Sequence, residues 1–222
     1  MPGLERVVAP DYPHHVIQRG NRRRPTFFSE TDYEAYLDLV EEWCRHFGAG
    51  IWAYCLMPNH VHLIAVPESM EALGRAIGEA HRRYTGMIHF REGWRSRLWQ
   101  GRFASYPMDE PHLLLAARYI ELNPVKAGIV KDPGSYAWSS AAAHLSGKDD
   151  RLLTVSSLPD MVPDWQRFLS GGVDKEQARL LQRHERTGRP VGSVYFLDRL
   201  EGMLGRVLRP RKAGRKAKTW GK

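Results

Sequence analysis

Alternating apolar and polar positions along the chain predict a small sheet with helices between its strands. Strand-like patterns cover residues 14–18, 51–57, 60–66 and 98–106. Apolar residues recur at helical spacing over residues 29–47, 69–88 and 109–123, with Pro124 ending the last pattern. The predicted element order is therefore β-α-β-β-α-β-α.

The first six elements match the ferredoxin-like split βαβ arrangement, an α+β fold with two helices on one face of an antiparallel sheet. We expect the opposite face to be partly open, with room for the third helix. Residues 1–145 would form this domain. Residues 146–208 are predicted to be a C-terminal helical extension of uncertain role, and residues 209–222 a basic flexible tail.

Two histidines and an asparagine form a candidate metal site. His60 and His62 are one residue apart on a predicted central strand, so their side chains lie on the same face. Tyr119 and Asn123 are four residues apart and share a face of the third helix. Two imidazoles and an amide oxygen leave coordination positions open, which suits Mg²⁺ or Mn²⁺ acting as a Lewis acid.

Tyr119 is the candidate nucleophile beside that site. A tyrosine hydroxyl assisted by a metal can attack a phosphodiester, giving a phosphotyrosine bond and a free hydroxyl on the other fragment. The bond energy is retained, so strand rejoining needs no ATP. Tyr84, Tyr106 and Tyr136 are the competing candidates, and His15 is interpreted as a structural residue of the first strand.

Charge and composition favour a nucleic-acid partner. The net charge is +8, and residues 209–222 contain seven basic residues and no acidic one. Further basic residues cluster at 19–24 and 91–102, the second cluster interleaved with Trp94, Trp99 and Phe103 as single-stranded nucleic acid would require. Two cysteines and no long apolar run predict a cytoplasmic, nucleoid-associated protein without a membrane partner.

Three sequence blocks resemble the signatures of the HUH single-tyrosine transposases. They are LMPNHVHL at 56–63, RYIELNPV at 118–125 and YAWSS at 136–140. The segments RGN at 19–21 and LWQGRF at 98–103 resemble the REP-associated tyrosine transposases, a branch of that family. The resemblance extends over about residues 12–145.

The resemblance implies a Mg²⁺- or Mn²⁺-dependent endonuclease and strand transferase acting on single-stranded DNA near a hairpin. It implies that His60 and His62 bind the metal, that Tyr119 is the nucleophile, and that Asn123 is the third ligand, where many relatives use glutamine. It also implies recognition of palindromic repeats. We assign this DNA contact to seven residues: Arg19, Asn21, Arg22, Arg23, Arg95, Arg97 and Arg102.

Two other functions are compatible with the same residues. One is a metal-dependent phosphodiesterase that uses water, with Tyr119 as a packing residue. The other is a non-catalytic DNA- or RNA-binding protein that retains the fold. A monomer and a homodimer are equally compatible with the pattern.

Overall fold

The sheet has four antiparallel strands in the order expected for a ferredoxin-like fold. The computed structural model describes residues 6–153 and 158–209, so most of the predicted basic tail lies outside the described residues. The strands are β1 (His14–Arg19), β2 (Ala49–Met57), β3 (His60–Pro67) and β4 (Ala104–Pro107), in the spatial order β2-β3-β1-β4. The predicted α+β class is confirmed, although the fourth strand begins six residues later than its pattern.

The described residues contain eight α-helices. They are α1 (Glu30–Phe47), α2 (Ala72–Glu92), α3 (Glu110–Glu121), α4 (Asn123–Lys126), α5 (Ala141–Ser146), α6 (Trp165–Ser170), α7 (Lys175–Thr187) and α8 (Val194–Leu204). None of them combines the length and apolar character that a membrane crossing requires.

One face of the sheet packs against α1 and α2, as the pattern predicts. Alternate strand residues such as Val16, Val61 and Leu63 share a buried core with Tyr36 and Tyr84 from these helices. Trp99 and Phe103, which the sequence suggested as surfaces for base stacking, are each 7% exposed and belong to this core. Their role is packing, and of the three interleaved aromatics Trp94 is the accessible one, at 40%.

The second face of the sheet is covered over much of its area and stays open at a cleft lined by Ile17, Arg19 and His60, as expected for a partly open face. Ile64 of β3 and Tyr106 of β4 pack there with Ile120 of α3, Trp165 of α6 and Leu181 of α7. Helices of the predicted extension therefore share a core with the sheet, because their apolar faces need burial and the sheet offers it. The domain boundary at residue 145 remains a prediction.

Both outer strands of the sheet bond to later segments of the chain. Along β2, Leu56 N donates to Trp138 O at 2.8 Å, and Ser140 N donates to Tyr54 O at 3.0 Å. Beyond β4, Val191 N donates to Pro107 O at 3.0 Å. These bonds fix the segments 138–140 and 191 at the two edges of the sheet.

Candidate metal and tyrosine site

The predicted histidine pair lies on the second face of the sheet. The ring centroids of His60 and His62 are 4.9 Å apart, and His62 is fully buried. Ile17 of β1 is the register partner of His62, so His15, two residues away, lies on the same face. The register of β1 with β3, together with the strand period, therefore brings a third histidine to the pair.

A chain of hydrogen bonds connects His62 to β4. His15 Nε2 lies 2.9 Å from His62 Nδ1, and His15 Nδ1 lies 2.6 Å from the hydroxyl oxygen of Tyr106. We assign the proton of this pair to His15 Nδ1, because the Tyr106 hydroxyl has a second acceptor for its own proton, Leu181 O at 3.4 Å. His15 Nε2 then accepts from His62 Nδ1–H, and His62 presents a lone pair on Nε2.

His60 is oriented in the same way by the turn between β2 and β3. Its Nδ1 lies 2.6 Å from Asn59 Oδ1, and Asn59 Nδ2 donates to Arg23 O at 3.2 Å. Because the amide oxygen can only accept, His60 Nδ1 carries the proton and Nε2 is left with a lone pair. Both histidines of the pair thus offer Nε2, and a partner on Nδ1 is typical of metal-binding histidines.

Burial keeps these imidazoles neutral, which is the form that binds metals. Desolvation, with the nearby Arg19, lowers the pKa of His60 to about 4 and that of His15 to about 3. Desolvation also lowers the pKa of His62 well below its usual value, with His60, His15 and Arg19 adding to the effect. His62 Nε2 is buried without a hydrogen-bond partner among the described residues. A divalent cation fits that orphaned atom.

Tyr119 lies against the histidines. Its ring centroid is 5.7 Å from that of His62, in an edge-to-face arrangement, and the residue is 7% exposed. Burial and Glu185 raise the pKa of its hydroxyl, while a hydrogen bond from Gln182 and the charge of Arg19 oppose that rise. The predicted neighbourhood of Tyr119 and His62 is therefore present, and the nucleophilic role remains a prediction.

The competing tyrosines use their hydroxyls within the fold. Tyr84 donates to Thr26 O at 2.7 Å, and Tyr136 donates to Leu56 O at 2.8 Å. Tyr106 belongs to the hydrogen-bonded chain behind His62. These contacts favour Tyr119 among the candidates.

Asn123 is separated from Tyr119 by a break in the helix. The helix α3 ends at Glu121, and Asn123 begins the short α4, because Pro124 has no N–H to donate to Ile120 O. The Asn123 side chain is half-buried and makes no hydrogen bond within the described part of the chain. Its role as a metal ligand remains a prediction.

Two polar residues of α7 reach the site, and the sequence analysis did not identify them. Gln182 bonds to Tyr119, and Glu185 Oε2 accepts from Arg19 at 3.1 Å. Ligand atoms of His15, His62 and Glu185 lie within 4.8 Å of one another. The i, i+3 spacing places Gln182 and Glu185 on one face of α7, but only tertiary packing shows which face of the sheet they meet.

A large basic cleft opens beside the histidines. Its volume is about 1110 Å³, and its lining includes His60, Glu185 and five arginines: Arg19, Arg22, Arg23, Arg102 and Arg186. Arg22 and Arg23 have φ angles of 55° and 59°, in the left-handed region that ordinary residues rarely adopt. Strained backbone of this kind concentrates at functional sites. Both arginines of this turn line the cleft, and their contact with DNA remains a prediction.

The remaining predicted DNA contacts lie elsewhere. Arg95 and Arg97 line a separate groove of about 430 Å³ beside α2, which Arg102 also borders. Asn21 N donates to Leu98 O at 2.8 Å within the 3-10 turn Asn21–Arg23. The predicted contacts therefore divide between the cleft, the groove and a structural turn.

Two solved structures are similar to this chain. A solved structure described as a REP-associated tyrosine transposase bound to a REP hairpin is 22% identical, with a TM-score of 0.57, and covers 69% of this chain and 92% of its own. A putative transposase from Deinococcus radiodurans is 20% identical, with a TM-score of 0.38, and covers 53% of this chain and 94% of its own. No curated protein is similar enough to count as a match.

The family model for IS200-like transposases matches residues 9–123, slightly more than half of the chain. This segment contains β1 to β4, both histidines of the pair and Tyr119. The chain belongs to the IS200-like transposase family.

Proposed function

We propose that the protein is a Mg²⁺- or Mn²⁺-dependent endonuclease and strand transferase that acts on single-stranded DNA at a hairpin. The observation that carries the proposal is the pair His60 and His62, each with Nδ1 engaged by a neighbour and Nε2 available, directly beside Tyr119. His60, His62 and Asn123 would hold the cation, which supplies Lewis-acid polarisation of the scissile phosphate.

Tyr119 would perform the covalent step. Its phenolic oxygen attacks phosphorus, the bond from phosphorus to the leaving oxygen breaks, and the phenolic proton is balanced by protonation of that oxygen. The hydrogen bond from Gln182 and the charge of Arg19 both stabilise the phenolate and so favour attack. The reverse reaction with a new hydroxyl rejoins a strand.

The basic cleft would guide the DNA to Tyr119. Arg19, Arg22, Arg23 and Arg102 line it next to His60, so a bound strand would have its phosphates close to the histidines. Arg95 and Arg97 in the groove beside α2 would contact the hairpin outside the site. The similar solved structure holds a REP hairpin, which supports palindromic-repeat DNA as the substrate.

The test is a denaturing gel of the protein incubated with a labelled single-stranded hairpin oligonucleotide and Mg²⁺ or Mn²⁺. Wild type should form an adduct that withstands denaturation, and Tyr119→Phe and His60→Ala should not. Tyr195→Phe is the matched control, because that hydroxyl belongs to a residue 75% exposed on α8.

Cleavage without an adduct in Tyr119→Phe would replace this proposal with a phosphodiesterase that uses water. Binding of hairpins without any cleavage by wild type would instead favour a non-catalytic DNA-binding protein.

A further inference from the structure

We propose that Glu185 of α7 is a ligand of the divalent cation held by His62, so that a helix outside the family-matched segment completes the metal site. The inference rests on the proposed function, because it assumes a cation at the histidine pair. It adds a carboxylate to the imidazoles, and carboxylates are preferred ligands of Mg²⁺ and Mn²⁺.

Two unpartnered atoms carry the inference. Glu185 Oε1 and His62 Nε2 are both buried, and neither has a hydrogen-bond partner in residues 6–153 and 158–209. Buried polar atoms without partners are rare in folded proteins, and a bound ion is one of the accepted explanations. Here an acceptor oxygen and an imidazole nitrogen belong to residues whose ligand atoms lie within 4.8 Å.

The surroundings favour Glu185 over His15 as the additional ligand. Both nitrogens of His15 are engaged, one by Tyr106 and one by His62, so His15 orients His62 and has no lone pair left for a metal. Glu185 uses only Oε2, which accepts from Arg19 at 3.1 Å. That bond fixes the carboxylate and leaves Oε1 free to bind the ion.

Charge balance supports the same assignment. A divalent cation bound by neutral imidazoles would leave two positive charges in a buried site that already faces Arg19. A buried charge requires a compensating partner, and Glu185 is 9% exposed at this position. Burial raises the pKa of Glu185 and Arg19 opposes that rise, while a cation would further stabilise the carboxylate.

Mn²⁺ binding measured by isothermal titration calorimetry and by electron paramagnetic resonance tests the inference. Glu185→Gln should weaken Mn²⁺ binding by roughly tenfold or more, since changes to groups that merely support ligands already cost about 10–100-fold. Glu176→Gln is the matched control. It removes the same charge from the same helix nine residues away, which is about 14 Å along the axis. Circular dichroism and thermal melts establish that each variant is folded.

The outcomes separate this inference from the proposed function. If His62→Ala weakens Mn²⁺ binding while Glu185→Gln binds as tightly as Glu176→Gln, the ligand role of Glu185 is overturned and the histidine site stands. If wild type binds no Mn²⁺, the metal-dependent function itself fails.

A second measurement covers the case in which Glu185→Gln does not fold. Wild type labelled with ¹³C at the glutamate carboxyl groups should show a manganese–carbon hyperfine coupling in electron–nuclear double resonance. A spectrum without such a coupling, recorded with Mn²⁺ bound, would exclude a glutamate ligand.

Discussion

Tyr106→Phe should weaken metal binding, although the Tyr106 hydroxyl reaches the proposed ligand His62 only through two successive hydrogen bonds, by way of His15. In the tautomers assigned above, the hydroxyl accepts from His15 Nδ1–H at 2.6 Å and so leaves His15 Nε2 to accept from His62 Nδ1–H. Without the hydroxyl, His15 Nδ1–H would be buried and unpaired. The favoured alternative places the His15 proton on Nε2, which then donates to His62 and forces the proton of His62 onto Nε2.

The metal would then have to displace that proton. Loss of groups that orient metal ligands reduces affinity by about 10–100-fold, which corresponds to about 1.4–2.7 kcal/mol. The assay is Mn²⁺ titration calorimetry of Tyr106→Phe against Tyr84→Phe, since both tyrosines are fully buried and each hydroxyl bonds to the fold. Each variant should lose about 1–2 kcal/mol of unfolding free energy. Equal Mn²⁺ affinity in the two folded variants would refute the proposed tautomers.

Three further predictions concern the cleft and the fold. Arg23→Gly should be about 1 kcal/mol more stable in urea unfolding than Arg23→Ala, because residue 23 has a φ of 59°, which glycine adopts without strain. Both variants lose one cation, so both should reduce the slope of the logarithm of the hairpin-binding constant against the logarithm of salt concentration by about 1. Burial lowers the pKa of His81 to about 3, so the folded protein keeps this imidazole neutral while the unfolded chain protonates it below about pH 6.5. The stability that neutral His81 contributes is therefore complete above about pH 6.5 and is lost as pH falls towards about 3. Between pH 6.5 and 5, wild type should therefore lose about 2 kcal/mol more unfolding free energy than His81→Gln, and parallel pH profiles would contradict this. Gly20→Ala should cost about 1–3 kcal/mol in thermal unfolding, because its Cβ would clash with the backbone oxygen of Arg24. An unchanged melting temperature would show that this turn yields.

The sequence was sufficient wherever local periodicity determines position. A period of two places His60 and His62 on one face of β3, and Tyr119 lies beside them because α3 packs on that face. The local pattern predicted the end of α3 less well. The spacing of Tyr119 and Asn123 suggests one continuous helix face, but the helix breaks between them.

Other parts of the site depend on contacts that no local pattern encodes. Glu185 is 166 residues from Arg19 in the chain, and its pairing follows from the packing of α7 on the sheet. His15 looked like a packing residue because an apolar strand surrounds it, and only the register of β1 with β3 places it next to His62. Trp99 looked like a stacking surface because arginines flank it, yet the ring belongs to the core between the sheet and the helices α1 and α2.

The bonds along the two outer strands have a consequence for self-association. An exposed edge strand is a template on which another chain can add a strand, and many proteins aggregate or dimerise in this way. Here segment 138–140 occupies part of the outer side of β2, and Val191 occupies the end of β4. Along those stretches a second copy has no free N–H and C=O row to extend. A second copy of this protein could therefore add a strand only along the parts of β2 and β4 that these segments leave uncovered.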